Sequence, residues 1–358
     1  MIKKFFAALT LLTLLALLGL YGVNHWASHV LSQPLFTANN HCVNTTFDLP
    51  KGASVRSVPN ILAKKGCLNA QEASHLSYAL RWQMVKTPSV INVKAGEYTL
   101  LPADTFLTVL RRLQQGDVVR HSITIVEGTR FRDLRHLLAA TETLSAETSE
   151  LSDADIMQLL GHEGVHPEGW FAPDTYFYIK GDSDLDILQR AFNEQDKRLQ
   201  ELWQSKQAHL PYSTPYEALI MASIIERETG VASERREIAG VFVRRLQRGM
   251  KLQTDPTVIY GMGEEYKGRI TRADLRKATP YNTYVIQGMP PTPIALPGKA
   301  AIHAALNPAS GNTLYFVAKG DGSHYFSKSY NEHRAAIRRY QLQRRDDYRS
   351  SPAPESAQ

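Results

Sequence analysis

The chain has 358 residues, 43% of them hydrophobic and 21% charged, with 22 Gly and 18 Pro. This is ordinary globular composition with room for two or three domains, and it excludes collagen-like and low-complexity architectures. Lys plus Arg number 41 against 35 Asp plus Glu, and the resulting +6 shows no basic stripe interleaved with aromatics, so no nucleic-acid partner is expected. The negative mean hydropathy excludes a polytopic membrane protein.

One apolar run stands apart. No residue from Phe5 to Val23 is charged, and at ~1.5 Å per residue the run spans roughly 28 Å, close to one hydrocarbon core. A transmembrane helix is expected over 5–23. Lys3 and Lys4 precede it and no Asp, Glu, Lys or Arg follows until Asp48, which places the tip, residues 1–4, in the cytoplasm and the rest outside. A cleaved signal peptide is the alternative. It requires small residues at the cleavage site, whereas His25-Trp26-Ala27 is bulky, which favours an uncleaved anchor. Residues 24–44 read as a polar stalk. Cys42 and Cys67 are the only cysteines, and both a disulfide and two separate buried thiols fit their placement.

Over 45–140 one pattern recurs three times: a short alternating strand, a glycine turn, then a helix. Thr46–Leu49 leads to Val55–Lys65, Val93–Tyr98 to Phe106–Leu113, and Ile123–Val126 to Phe131–Leu138. An acidic, Ser/Thr-rich linker at 141–153 separates these from a larger α+β domain over 154–347. Its helices are expected at Leu185–Trp203, at Tyr216–Arg227, from Ser233 through Ile238 and Leu246 to Gly249, and at 299–306. A strand over Thr313–Val317, a hairpin at Gly320–Gly322 and a terminal helix near 331–347 follow, and the tail, 348–358, is expected to be disordered.

His162-Glu163-Gly164-Val165-His166 matches the zinc-protease signature H-E-x-x-H, which needs both imidazoles on one face of a continuous helix. Gly161, Gly164 and Pro167 argue against that helix, so no metal is expected. The aromatics from Trp170 to Tyr178 read either as a packing loop or as a platform for sugar faces. The segment Ala218–Gly230 is apolar on every side of a helix until Glu226, so the helix is expected to be buried. Small or hydroxylic residues, Ala222, Ser223 and Thr229, flank Glu226 on its own face. Desolvation there would raise its pKa and suit it to general acid chemistry; a salt bridge to Arg227 or Arg235 is the competing reading. Glu228 points about 200° away around the helix. Residues 250–261 read as a polar, Pro-bounded loop carrying Gln253, Thr254 and Asp255. Tyr281 and Asn282 add ring and amide groups, which suit a neutral, hydroxyl-rich ligand. There is no Walker loop and no G-x-S-x-G elbow, and no cofactor is expected.

Taken in order, the motifs EGWFAPDTY, ASIIERET, LQTDPTVIYG, YNTY, GMPPTPI, LYFV and Gly322–Phe326 resemble the YceG-like family of endolytic murein transglycosylases. Met289 stands where the family's turn has Leu. The resemblance covers essentially the whole chain. It implies a single-pass inner-membrane anchor, LysM-like strand–helix modules that hold glycan, and a periplasmic catalytic domain that cuts nascent peptidoglycan. Peptidoglycan strands and their synthases are the implied partners. The family's catalytic glutamate maps onto Glu226. By looser analogy with lysozyme-like lytic transglycosylases, Gln253, Tyr281 and Asn282 contact substrate, with Glu228, Thr229, Thr254, Asp255 and Trp170 beside them. The alternatives are a non-catalytic wall-binding scaffold and a zinc protease through His162 and His166.

Overall fold

A computed structural model describes residues 2–36, 40–88 and 92–343. The expected disordered tail lies outside the described residues. The chain divides into two units, Met1–His121 with Phe177–Asp182, and Ser122–Tyr176 with Ser183–Gln358.

The first unit opens with α1 (Ile2–Ser32), long and apolar enough to cross a membrane and fitting a single-pass anchor. The helix does not stop at Val23. Ala27 and Leu31 are buried in the first unit's core and Val30 packs against it, an apolar stripe hidden within the polar composition expected to form a stalk. Next come β1 (Thr46–Leu49), α2 (Val58–Lys64) and α3 (Ala70–Lys86), which packs on α1. The start of α3 is fixed by a capping box, with the Asn69 side chain accepting from the Glu72 N–H and the Glu72 carboxylate from the Asn69 N–H. Then β2 (Gly96–Thr99) pairs antiparallel with β1, Thr46 opposite Thr99, and α4 (Phe106–Gln115) ends at Gly116, whose φ of 73° is the left-handed cap glycine favours. Phe47, Leu62, Tyr98, Phe106 and Leu113 form the core.

Two of the three strand–helix repeats are therefore joined through their strands. The third, β3 (Arg120–Thr124) with α5 (Phe131–Ala139), has its helix in the second unit, where Phe131 stacks on Phe171 with ring centroids 4.9 Å apart. The division between the two units falls within 45–140, between His121 and Ser122. After α6 (Asp153–Leu159), which starts at the last residue of the expected linker, comes β4 (Thr175–Ile179), the partner of β3.

The second unit continues with α7 (Asp184–Gln204), α8 (Pro215–Glu228), α9 (Arg235–Gln247), α10 (Asp255–Met262) and α11 (Lys299–Leu306), then β5 (Tyr315–Ala318), β6 (His324–Ser327) and α12 (Tyr330–Ile337). Strands β5 and β6 form the expected antiparallel hairpin, with Tyr315 opposite Ser327. The polar loop expected at 250–261 is largely helical. Thr254 is the N-cap of α10 and Pro256 lies in its first turn, where a missing N–H costs nothing. The core is α8, buried from Ala218 to Ile225 and packed on α7, α9 and α11; Ala301, Ala304 and Ala305 of α11 allow the two helices close approach.

Cys42 and Cys67 are joined in a disulfide with a sequence separation of 25. Restricting the unfolded chain over a loop of this size is worth about 3 kcal/mol. Replacing both cysteines by Ser is expected to lower unfolding stability by about that amount, measured by denaturant titration without reductant.

Candidate active site

Helix α8 begins with a capping box in which Thr214 Oγ1 accepts from the Glu217 N–H (3.2 Å) and the Glu217 carboxylate from the Thr214 N–H (3.1 Å), with Pro215 in its first turn. Its far end delivers Glu226. That side chain is 4% exposed. Its Oε2 accepts the Gly298 N–H at 2.9 Å and its Oε1 lies 3.3 Å from Arg235 Nη2. Burial pushes the carboxyl's pKa upward; the Gly298 N–H opposes this, neighbouring Glu127 adds to it, and Arg235 opposes it, leaving a net rise. The competing salt bridge therefore exists, to Arg235, yet within a desolvated setting. Arg227 instead donates to the Gly128 carbonyl at 3.2 Å.

Two loops hold this arrangement. The Gly128 N–H donates to Leu296 O at 2.9 Å and the Leu296 N–H to Thr129 O at 2.8 Å. The same Arg235 Nη2 that meets Glu226 lies 3.5 Å from Glu127 Oε2. A Cβ on Gly298 would stand 1.9 Å from Glu127 Oε1, so a side chain at 298 displaces the Glu127 carboxylate from its place over the N–H that reaches Glu226. A desolvated carboxyl between a backbone donor and a guanidinium can release a proton and then be stabilised as the anion.

Glu228 faces different surroundings. It accepts the Thr254 hydroxyl, and burial, with Asp255 adding, lifts its pKa to about 7 against the opposing Thr254 and Arg245. It opens on a cavity of about 330 Å³ that Gln253, Thr254 and Asp255 also line. Four of the expected residues are thus brought together here. Thr254 belongs to a buried hydroxyl cluster, its N–H donating to Thr283 Oγ1 at 3.1 Å, with Thr257 and Thr283 hydroxyls 2.8 Å apart. Asp255 accepts the Tyr284 hydroxyl at 2.6 Å.

The other expected contacts serve the fold. Thr229 is buried, its hydroxyl accepting the Val231 N–H at 3.0 Å where α8 ends. Asn282, 1% exposed, donates to the carbonyls of Asp274 (3.0 Å) and Lys277 (2.7 Å) and accepts the Tyr284 N–H (3.0 Å). Its amide is occupied at both ends in building a turn. The Tyr281 hydroxyl meets Thr292 Oγ1 at 2.9 Å and its ring lies 4.9 Å from that of Tyr260. Trp170 is stacked between Phe192 (5.3 Å) and Tyr216 (5.8 Å), so it is packing rather than an open platform. His162 stacks on Phe192 at 3.9 Å, and His166 Nδ1 accepts the Glu168 N–H at 3.2 Å. Gly161 and Gly164 have positive φ in a turn after α6, so no helix brings the two imidazoles onto one face.

The profile of the YceG-like family matches residues 47–339. The chain belongs to that family. As a YceG-like protein it is 30% identical over 327 residues to an endolytic murein transglycosylase of Bacillus subtilis, covering 87% of this chain and 88% of that one. An endolytic murein transglycosylase of Streptococcus pneumoniae serotype 2 is 25% identical over 322 residues, which are 80% of this chain and 57% of the streptococcal one. The crystal structure of a yceG-like protein from Listeria monocytogenes is similar with a TM-score of 0.48 and 30% identity, covering 82% of this chain and 98% of that one.

In this YceG-like chain, sequence reasoning missed Glu127, Gly298 and Glu168. Glu168, 3% exposed, accepts the Phe131 N–H at 2.9 Å and the Tyr260 hydroxyl at 3.0 Å. It thereby ties down the start of α5 and the loop that carries Glu127. An acidic residue opening the aromatic run was the available signal. Burial lifts the Glu168 pKa from 4.5 to about 7, against the Phe131 N–H, the Tyr260 hydroxyl and Arg130. Because the folded value is the higher one, this contribution to stability is complete below the unfolded pKa and is lost as pH rises through about 7. Glu168→Gln removes that dependence. Its stability relative to the parent is expected to improve as pH rises across the window, by about 1.4 kcal/mol per unit of lift. Urea unfolding at a series of pH values checks this; a difference that stays constant with pH would contradict it.

Proposed function

We propose that the chain is a peptidoglycan lytic transglycosylase acting within nascent glycan strands, with Glu226 as its acid and base. The observation that carries this reading is the desolvated Glu226 carboxyl, held between the Gly298 N–H and Arg235 with its pKa raised. The similarity to endolytic murein transglycosylases of Bacillus subtilis and Streptococcus pneumoniae supports the same substrate. Protonated Glu226 gives its proton to the oxygen joining N-acetylmuramic acid to N-acetylglucosamine, and the bond from the muramic C1 breaks. The acetamido group steadies the oxocarbenium-like centre. The Glu226 carboxylate, stabilised by its two partners, then takes the proton of the muramic C6 hydroxyl as O6 bonds to C1. The result is a 1,6-anhydro end, a restored acid and no water consumed, and the cut ends elongation of that strand.

Glu127 is a second carboxylate nearby, but it is drawn to the same guanidinium nitrogen as Glu226. A two-carboxylate hydrolase needs its second group across the scissile bond. In the proposed reaction Glu127 adjusts the charge on Glu226 instead. The helix α1 serves as the inner-membrane anchor, with the N-terminus cytoplasmic and the catalytic part periplasmic. The Cys42–Cys67 disulfide supports an oxidising compartment. The strand–helix repeats act as LysM-like glycan holders.

Glu226→Gln is expected to abolish anhydromuropeptide release from purified glycan strands while leaving the circular dichroism spectrum unchanged. Mass spectrometry of the products decides the chemistry, since reducing ends in place of anhydro ends would mean hydrolysis. The acid form is required, so the alkaline limb of the pH–rate profile follows the Glu226 pKa. Removing the negative neighbour in Glu127→Gln lowers that pKa and moves the limb to lower pH. Removing the positive neighbour in Arg235→Met moves it to higher pH. Shifts of the opposite sign would overturn the assignment.

A further inference from the structure

The end of α8 presents Glu226 to one wall and Glu228 to another, and the wall beyond Glu228 encloses the 330 Å³ cavity. Groups with unspent hydrogen-bonding capacity converge on it from separate elements. The Gln253 side-chain amide makes no hydrogen bond among the described residues, and its backbone sits at φ 51°, left-handed for a non-glycine residue. Such strain is retained where the surrounding structure fixes it, here by the Gln253 N–H donating to Thr283 O at 3.2 Å. His333 Nδ1, on α12, is buried without a partner. Arg245, on α9, spends Nε on Leu314 O (2.8 Å) and Nη1 on Leu252 O (2.6 Å) and Lys251 O (3.3 Å), leaving Nη2 out of these bonds. Glu228 accepts Thr254 through one oxygen only.

We propose that this cavity is a saccharide subsite that takes a single N-acetylhexosamine unit through Gln253, His333 and Arg245. The inference rests on the glycan reading of Glu226 and deepens it. Charge selects the ligand class. The Arg245 guanidinium and the Asp255 carboxylate, which accepts the Tyr284 hydroxyl, both line the cavity, and burial lifts the Glu228 pKa to about 7, so the lining mixes the two signs of charge and commits to neither an anion nor a cation. An amide, an imidazole and a guanidinium offer donors and acceptors together, as hydroxyl and acetamido groups require. Tyr315, Phe316 and Tyr284 contribute ring surface. The volume lies at the lower end of small-molecule sites and suits one pyranose rather than a chain. The cavity also borders the stretch that holds the acid. His324 in its wall donates its N–H to Glu234 Oε1 at 2.8 Å, and the next residue, Arg235, contacts Glu226.

The test uses the full chain carrying Glu226→Gln, so that no turnover occurs, with N-acetylglucosamine and its trisaccharide as probes in calorimetric titration. Gln253→Asn shortens the amide while tolerating left-handed backbone, and His333→Phe keeps the stack on Tyr315 while removing Nδ1. Each is expected to weaken binding about tenfold, the loss of one good hydrogen-bonding group. Affinities unchanged in both variants, or no binding of either sugar by the Glu226→Gln chain, would overturn the subsite. The catalytic reading fails separately, by continued release of anhydro ends from the Glu226→Gln chain.

Discussion

The Gly298 N–H on the Glu226 carboxyl can exist only because α8 is buried on all sides. A helix that kept one face in water would hold the acid at an ordinary pKa. Here the alanines of α11 close over α8 from one side, α7 and α9 from others, and the last turn emerges beneath two loops. A carboxyl so desolvated needs partners for its oxygens, and the structure supplies one backbone donor and one guanidinium. The partners in turn need the loops at 127–129 and 296–298 to be hydrogen-bonded together, with glycine at 298 to admit Glu127 against its Cα. Glu168 and Gln195 secure these loops from below, the first through the Phe131 N–H and the second through the Pro297 carbonyl at 2.9 Å.

The spacing of Glu226 and Glu228 has a consequence of its own. Two residues apart on a helix is about 200°, so the same short segment serves two walls. One carboxyl meets a cation and a backbone donor; the other meets a hydroxyl and a cavity. Burial raises both pKa values, but only Glu226 has a positive group in direct contact to receive the anion after proton transfer. In the proposed reaction that difference assigns proton transfer to Glu226 and hydrogen bonding to Glu228.

Elements with a clear 3.6-residue period were legible in the sequence, among them α4, α7, α8 and α9, as was the β5–β6 hairpin. Where the signal was chemical rather than periodic, legibility fell. The Pro in 250–261 suggested a loop although Pro in a first turn starts a helix, and the capping box that opens α3 was overlooked. The disulfide could not be decided because spacing alone does not bring two thiols together. For the site, burial of the segment before Glu226 was readable from composition. The use of each amide and ring was not: Asn282 is spent on carbonyls of its own turn and Trp170 on neighbouring rings. Glu127 was invisible because only tertiary pairing of two distant loops places it beside Arg235.

That pairing bears on the proposed choice of lyase over hydrolase chemistry in a fold with two nearby carboxylates. A carboxylate acts as nucleophile or base across a glycosidic bond only if it approaches the face opposite the acid. Glu127 and Glu226 contact one nitrogen of one guanidinium, and Glu127 packs over the glycine whose N–H holds Glu226. Two carboxylates that share one guanidinium nitrogen are not spaced to flank a glycosidic bond from opposite faces. In the proposed reaction the electrophilic C1 is met instead by the C6 hydroxyl that the substrate itself carries, which gives its proton to the anion that protonation leaves behind. Glu127 then acts through its charge alone, which keeps the acid protonated, while Arg235 limits that lift so that the proton can still be given up.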